Sequence, residues 1–482
     1  MSLLGGEKEY RLPNHPSVRC IDRFSILDGV QEQESEDGLV PFWDILVAVL
    51  KQPIATPTQL VDVLDTISNT LRGSSGVAGD YGTLKAIAVK SYDEFFAIIW
   101  PCIVRLALSA TRAFPNGSVP VLCAGDSVSL STGQVACLVA HQFLCTLNSP
   151  SWRDGYYDFS IWYADEQRHP TAVNMYFTTL LLYFKSLDYG SMDKDTPSRE
   201  LVTYSLHDFA SVEALSTSLA LQSKPLAPIE VTSVVQYSTE LQEASYQGRS
   251  GAVVISANKH IGFGQSATQE ELFVGNCPEA CPAVLLTPPL ADDQALCIDG
   301  ARPMLRIIGQ RRDISFTVLP IENRAGGRML FMDALEIDEQ DDSDGLPDIR
   351  LDNVEREIRK AYTAFSSWDT QGEPDDTLAK QSRPPFDIRN TIYTGVWGCG
   401  AFNGDPAVKM IIIWIAASMA GKKLFIICDP LHGQFPERFQ EFTRMVPKIW
   451  NVSQLRNVLG SMPRDIKRLE TMEWLLSRQF SA

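Results

Sequence analysis

Two glycine-rich segments carry the residue types and spacings that could do chemistry. Residues 256–271 read Ser-Ala-Asn-Lys-His-Ile-Gly-Phe-Gly-Gln-Ser-Ala-Thr-Gln-Glu-Glu: a strand end, a glycine turn, and a helix start carrying adjacent carboxylates, Glu270 and Glu271. Cleavage of a glycosidic bond needs a proton for the leaving oxygen and a base for the water, and carboxyl groups supply both. The same residues have a plainer use. Thr268-x-x-Glu271 is a capping box, in which Glu271 merely closes the helix N-terminus. Adjacent helix positions point about 100° apart, so at most one of the two carboxylates can face a reacting atom squarely. Pattern alone favours the cap.

The second segment, residues 394–406, reads Thr-Gly-Val-Trp-Gly-Cys-Gly-Ala-Phe-Asn-Gly-Asp-Pro and leads from an expected strand into a strongly apolar helix. Asn403 or Asp405 can cap that helix, and Pro406 suits its first turn because its missing N–H is not needed there. Glycines at 395, 398, 400 and 404 let the backbone approach a ligand closely, and free N–H groups at a helix start favour a phosphate. A tight turn with no ligand is the competing reading. Two further groups are less informative. Cys277-Pro-Glu-Ala-Cys281 lacks a second cysteine pair or nearby histidine to complete a zinc site, so no metal is expected. The six histidines form no HExxH-like cluster, and His260, in the first glycine turn, is read as orienting the loop.

These segments must be positioned by the elements around them. The first 185 or so residues read as mostly helical, with apolar faces over residues 42–51, 92–114 and 171–187. The clearest helix starts at Ser131, where Ser131 to Gln134 form a capping box, Leu130 and Val135 can staple it, and Val135, Leu138, Val139 and Phe143 make one stripe. Residues 188–200 turn polar, and a boundary is placed there, giving a helical domain over 1–190 and a second domain over 191–482. In the second, residues 231–235, 252–256, 283–286, 314–319, 328–335, 390–394 and 424–428 read as strands. Helices are expected after Thr268, over 352–365 and after Pro406. The alternation predicts an α/β fold, a mixed sheet with helices on its faces. The acidic segment from Glu336 to Asp344 reads as a solvated loop.

Composition bounds the function. The 482 residues are 45% hydrophobic and 21% charged, enough core-forming material to exclude a disordered or fibrous chain. A net charge of -17 argues against a protein that tracks duplex nucleic acid, whose phosphates are met by Lys and Arg. Ten scattered cysteines are no disulfide framework, so a reducing, intracellular compartment, nucleus or cytoplasm, is expected. The N-terminus does not look like a signal peptide, and the longest apolar runs fall short of the ~20 residues of a spanning helix.

Taken together, the motifs resemble those of the poly(ADP-ribose) glycohydrolase family. They run in the order Asn258, Gly262-Phe-Gly264, Gln269-Glu270-Glu271, Arg328-x-x-Phe-Met-Asp-Ala-Leu335, Ile358-Arg-Lys-Ala-Tyr362 and residues 394–405. Leu12-Pro13 and Leu130-Ser131-x-x-Gln134-Val-Ala-Cys-Leu138 are also similar to that family's N-terminal part. The Trp-Gly-Cys-Gly-Ala-Phe stretch is the most specific feature. The resemblance implies a macrodomain that holds ADP-ribose at the crest of a mixed sheet, preceded by a helical accessory domain. It implies hydrolysis of ribose–ribose O-glycosidic bonds in poly(ADP-ribose), with no metal or cofactor. On this resemblance Glu271 is the acid that protonates the leaving oxygen, while Glu270 and Asn258 hold ribose hydroxyls. Gln269 belongs to the same motif, and Gly262, Phe263 and Gly264 with Gly398, Cys399, Gly400, Ala401 and Phe402 wrap the pyrophosphate. The implied partners are poly(ADP-ribose) and ADP-ribosylated proteins, with ADP-ribose as product, no duplex nucleic acid, no membrane, and a monomeric chain.

The departures from the family pattern raise alternatives. Phe263 takes the place of a middle glycine, only four residues separate the turn from Gln269, and Ile255 stands where an acid is usual. No tyrosine lies around residues 300–310, where Met304, Ile307 and Gln310 stand, and a phenylalanine that encloses adenine falls near Asp429. An ADP-ribose-binding macrodomain without turnover, or a hydrolase of single ADP-ribose modifications, are the competing readings. A helix N-terminus lowers a carboxyl pKa, while burial, a neighbouring carboxylate and a bound diphosphate raise it, so Glu271 is expected to be poised as an acid only with substrate present. The net charge is reconciled with an anionic ligand locally. Arg249 and Lys259 stand without an acid in residues 244–269, and Lys380, Arg383 and Arg389 face only Asp387 in residues 377–404. Recognition of a terminal unit by backbone N–H groups, with shallow salt dependence, is the expectation.

Overall fold

The computed structural model describes residues 8–27, 38–73, 79–153, 155–189, 200–213, 222–234, 240–241, 243, 251–310, 313–340, 345–368 and 390–478. Its centre is an eight-stranded mixed sheet. In chain order the strands are β1 (Ser127–Ser131), β2 (Leu201–His207), β3 (Ile229–Ser233), β4 (Gly251–Ala257), β5 (Ala295–Ala301), β6 (Gly327–Asp333), β7 (Thr391–Thr394) and β8 (Lys423–Cys428). Their spatial order is β1-β2-β5-β6-β4-β7-β8-β3. The five strands from β6 to β3 run parallel, while β5 is antiparallel to β6 and β2, and β1 is antiparallel to β2. The expected α/β architecture is what the chain adopts: a mixed sheet flanked by helices, preceded by a helical region.

Side chains alternate across a strand, and β4 shows it plainly. Val253 and Ile255 join one core cluster and Ala252 and Val254 the other. On the first face lie the N-terminal helices, among them α1 (Thr132–Phe143) and α2 (Pro170–Tyr189), together with α3 (Gln269–Asn276). On the second lie α4 (Leu351–Ser366) and α5 (Pro406–Ala420). The helical half therefore shares one continuous apolar cluster with a face of the sheet. It also supplies the edge strand β1, where Ser127 to Ser131 pair with Ser205 to Leu201 of β2.

Several local expectations are met. Ser131 caps α1 with the reciprocal Gln134 contact, and Leu130 and Val135 are both buried. Asp405, and not Asn403, caps α5, accepting from the Val408 N–H at 2.9 Å, while Asn403 sits in the preceding turn at φ +55°. One expectation fails. Residues 283–286, read as a strand, form a short buried helix (Ala283–Leu286), because a four-residue apolar run has no period that separates a buried strand from a buried helix turn. Strands β2 and β5 and the hairpin strand Leu305–Gln310 carried too weak a signal to be named; β5 includes Asp299 and Gly300, both poor strand formers. Of the expected 188–200 boundary, residues 190–199 lie outside the described residues, as do Asp341 to Asp344 of the acidic segment. Among the described residues no helix is long and apolar enough to cross a membrane.

Candidate active site

Parallel pairing of β6, β4, β7 and β8 sends their carboxyl ends to one edge, the place where open α/β sheets bind ligands. The loop after β4 (258–268) and the loop after β7 (395–405) therefore leave from adjacent strands at the same edge. This brings the two sequence segments together.

In the first loop each side chain of the Gln-Glu-Glu motif is engaged by backbone. Gln269 turns inward: its Nε2 donates to the Val254 carbonyl at 3.2 Å, and its Oε1 accepts from the Ser256 N–H at 2.9 Å, locking α3 to β4. Glu270 is buried, and its two oxygens accept from the Asn258 and Gly262 N–H groups, each at 2.9 Å. Burial pushes its carboxyl up to about 8, opposed by those two N–H groups and by Arg153, with Glu271 adding to the rise. Glu271 closes the capping box: Thr268 N–H donates to its Oε2 at 3.1 Å, and its own N–H donates to Thr268 Oγ1 at 3.3 Å. Burial raises its carboxyl, against the N–H groups of Thr268, Ser266 and Ala267. A Cβ on Gly264 would fall 2.1 Å from Glu271 Oε1, so only glycine lets the loop pass over the carboxylate.

Asn258 is half-buried; its Oδ1 accepts from the His260 N–H at 2.9 Å, and its Nδ2 donates to no protein group among the described residues. Phe263 is buried in an aromatic cluster of the helical half, with ring centroids 5.1 Å from Phe159 and 5.3 Å from Trp162. The Trp162 indole N–H donates to the Gly264 carbonyl at 2.9 Å, and Gln265 reaches the Ile161 carbonyl at 2.6 Å. The phenylalanine that departs from the glycine pattern thus anchors the loop, leaving only its main chain to face the edge. The N–H groups of Phe263 and Gly264 donate to no protein acceptor among the described residues.

The second loop folds on itself. Gly404 N–H reaches the Gly398 carbonyl at 2.9 Å and Asn403 N–H the Gly400 carbonyl at 3.2 Å. Gly398 has φ +76°, and a Cβ there would lie 2.7 Å from the Ala334 Cβ. The N–H groups of Gly398, Gly400, Ala401 and Phe402 donate to no protein acceptor among the described residues, the arrangement an anionic ligand needs. Cys399 is half-buried, its thiol directed at the Trp397 carbonyl, and burial pushes it well above the usual thiol range.

A buried ionic network lies beneath this loop. Lys409 of α5 pairs with Glu357 of α4 at 2.7 Å, and the other Glu357 oxygen accepts from the Leu335 N–H at 2.7 Å. Arg356 and Lys360 bracket Asp333 at 2.5 and 2.6 Å. Asp348 accepts from the Asp405 N–H at 2.9 Å, and burial raises the Asp405 carboxyl to about 6. Among the described residues, no group of three or more His, Cys, Asp or Glu side chains could hold a metal ion.

Of the positions that the resemblance sets beside adenine, Met304 and Ile307 are buried in the core and Gln310's side chain lies outside the described residues. Asp429 caps the short helix Pro430–His432 at the end of β8. Lys259 is exposed, while Arg249, Lys380, Arg383 and Arg389 lie outside the described residues. Glu336, at the start of the acidic stretch, follows β6 at this same edge and interacts with Lys259.

Two family models match the chain: "Poly (ADP-ribose) glycohydrolase (PARG), Macro domain fold" over residues 220–430, and the helical domain of the same family over residues 88–205. The chain belongs to the poly(ADP-ribose) glycohydrolase family. Among curated family members, poly(ADP-ribose) glycohydrolase 1 of Caenorhabditis elegans is 26% identical over 350 residues, covering 67% of this chain and 38% of that protein. Probable poly(ADP-ribose) glycohydrolase 2 of Arabidopsis thaliana is 23% identical over 271 residues, covering 49% and 46%. The chain thus spans less than half the length of these relatives. A solved structure of poly(ADP-ribose) glycohydrolase from Deinococcus radiodurans in complex with ADP-ribose is 18% identical, covers 50% of this chain and 92% of that one, and superimposes with a TM-score of 0.31.

Sequence reasoning missed the residues that hold this family motif in place. Arg153 and Trp162 come from the helical half, and their contacts with the loop cross roughly a hundred residues of chain, so no local pattern marks them; Tyr176 packs against Trp162 behind them. Lys409 and Glu357 were passed over as helix residues, although a lysine inside the apolar run 406–420 was the available signal.

Proposed function

We propose that the chain is a glycosidase that hydrolyses the ribose–ribose O-glycosidic bonds of poly(ADP-ribose) and releases ADP-ribose. The observation that carries this reading is the meeting, at the carboxyl ends of adjacent strands β4 and β7, of a carboxylate pair and a loop with unengaged N–H groups. In this reading the diphosphate takes the N–H groups of Gly398, Gly400, Ala401 and Phe402 and of Phe263 and Gly264, and the Asn258 amide takes a ribose hydroxyl. Glu271 gives its proton to the leaving ribose oxygen as the glycosidic C–O bond breaks. The resulting carboxylate takes a proton from water as that water attacks the oxocarbenium-like carbon, so one water is consumed and Glu271 is restored. Residues 1–190 act as a helical accessory domain and 191–482 as the catalytic domain. The partners are poly(ADP-ribose) and ADP-ribosylated proteins, the chain works as a monomer, and its setting is the nucleus or cytoplasm.

A second reading, ADP-ribose binding without turnover, is favoured by one observation: the Glu271 carboxylate is occupied in the capping box. The two readings separate on Glu271→Gln. Glutamine also closes a capping box, so melting should be unchanged. Release of ADP-ribose from labelled poly(ADP-ribose) should fall by about 10²–10⁴-fold, the usual loss for a general acid. Absence of release by the unsubstituted chain, with ADP-ribose still bound, would establish the second reading instead.

A further inference from the structure

The peptide bond between Ile261 and Gly262 is held on both sides by buried polar side chains from opposite halves of the molecule. Its carbonyl accepts from Arg153 Nη1 at 2.8 Å, and its N–H donates to Glu270 Oε1 at 2.9 Å. Arg153 is 8% exposed and Glu270 6%. Arg153 is itself aimed by a second bond, from Nε to the Tyr156 carbonyl at 2.6 Å. A Cβ on Gly262 would stand 2.7 Å from Arg153 Nη2 and 2.6 Å from Val284 Cγ1, so the glycine is there to let the guanidinium reach the backbone. Glu270 meanwhile draws in the Asn258 N–H with its other oxygen, so the stretch from 258 to 262 is fixed at both ends.

We infer that Arg153 is a positioning residue for ligand binding: with Glu270 it clamps the Ile261–Gly262 peptide and so sets the direction of the next two N–H groups, those of Phe263 and Gly264. The inference rests on the reading that these N–H groups meet the ligand's diphosphate. It assigns to the helical half a direct part in the geometry of the macrodomain's ligand loop. Burial costs Arg153 part of its hold on the proton, lowering it to about 10, and Glu270 acts in the opposite sense. The charged groups acting on Glu270 are Arg153 and Glu271. Glu270 on this view works through the loop backbone, in addition to any contact with ribose.

Arg153→Lys keeps the charge but loses the fork that reaches Tyr156 and Ile261 together; Arg153→Met loses both. The probe is ADP-ribose, with binding measured by calorimetry and backbone opening by hydrogen exchange at the Gly262 amide. The expected order of dissociation constants is unsubstituted, then Lys, then Met, with Met weaker by about tenfold or more, the scale of a lost hydrogen bond to a charged group. Exchange at Gly262 should quicken in the same order, while the Ile413 amide, deep in α5, stays as slow as before. Unchanged affinity and unchanged Gly262 exchange in the Lys variant would overturn the inference, and that variant decides alone where the Met variant does not fold. If the unsubstituted chain binds no ADP-ribose, the reading of the site fails, while Gly262 exchange in the variants still judges the clamp.

Discussion

The two glycine-rich loops leave neighbouring strands in the same direction, yet they are held by different means. The loop after β4 is gripped from outside its own half, by Arg153, Trp162 and the aromatic cluster that receives Phe263. The loop after β7 is braced from within, by its own short hydrogen bonds and by the Glu357–Lys409 pair beneath it. Backbone that must approach a ligand has few side chains to anchor it, so its shape is imposed by neighbours. Here one loop depends on the packing of two halves and the other on buried charge.

The largest expected effect falls on the braced loop. Lys409→Met leaves Glu357 buried with one charge partner fewer, and the loss of stability should be about 3–5 kcal/mol, read from urea unfolding. A loss below about 1 kcal/mol would show that the loop's own turns are sufficient. Phe263→Ala attacks the gripped loop by emptying its place among Phe159 and Trp162, at about 3 kcal/mol. Exchange at the Trp162 indole N–H should quicken with it, and unaltered protection there would place the grip elsewhere.

The effect that is smallest per step of the measurement is the pH dependence, because it is spread over several pH units. Both Glu270, raised to about 8, and Asp405, raised to about 6, hold protons in the folded state that the unfolded chain has already lost. Each therefore contributes stability that is full below its unfolded pKa and declines as pH rises to its folded one, with a slope of at most about 1.4 kcal/mol per pH unit. For Asp405 the decline runs from about 4 to about 6, and for Glu270 from about 4.5 to about 8. Asp405→Asn should flatten the lower window and Glu270→Gln the upper part of the range. A stability profile that either substitution leaves unmoved would remove that carboxyl from the account.

What could be read in the sequence was local. Capping boxes at Ser131 and Thr268, the Asp405 cap and the glycine turns are set by residues within a few positions of one another, and all three helices start where those residues stand. The β-branched runs of β4, β7 and β8 marked them as strands of a mixed sheet. What escaped was long-range: the partnership of β1 with β2, the reach of Arg153 to Ile261, and the use of Gln269 as a strut to β4. A motif names the residues that share a place but not which atoms they turn toward it. The Gln-Glu-Glu stretch marked the site, while the hydrogen bonds of Gln269 and Glu270 show it also building its own loop.

The Arg153 contact also imposes an order of events on synthesis. Arg153 emerges 108 residues before Ile261. At roughly 5–20 residues per second, the guanidinium waits on the order of ten seconds for the Ile261 carbonyl that receives it. Until then Arg153 has only the Tyr156 carbonyl, three residues on, as a partner. The helical half therefore cannot reach the packing seen in the finished protein on its own timetable: part of that packing waits for a loop of the other half.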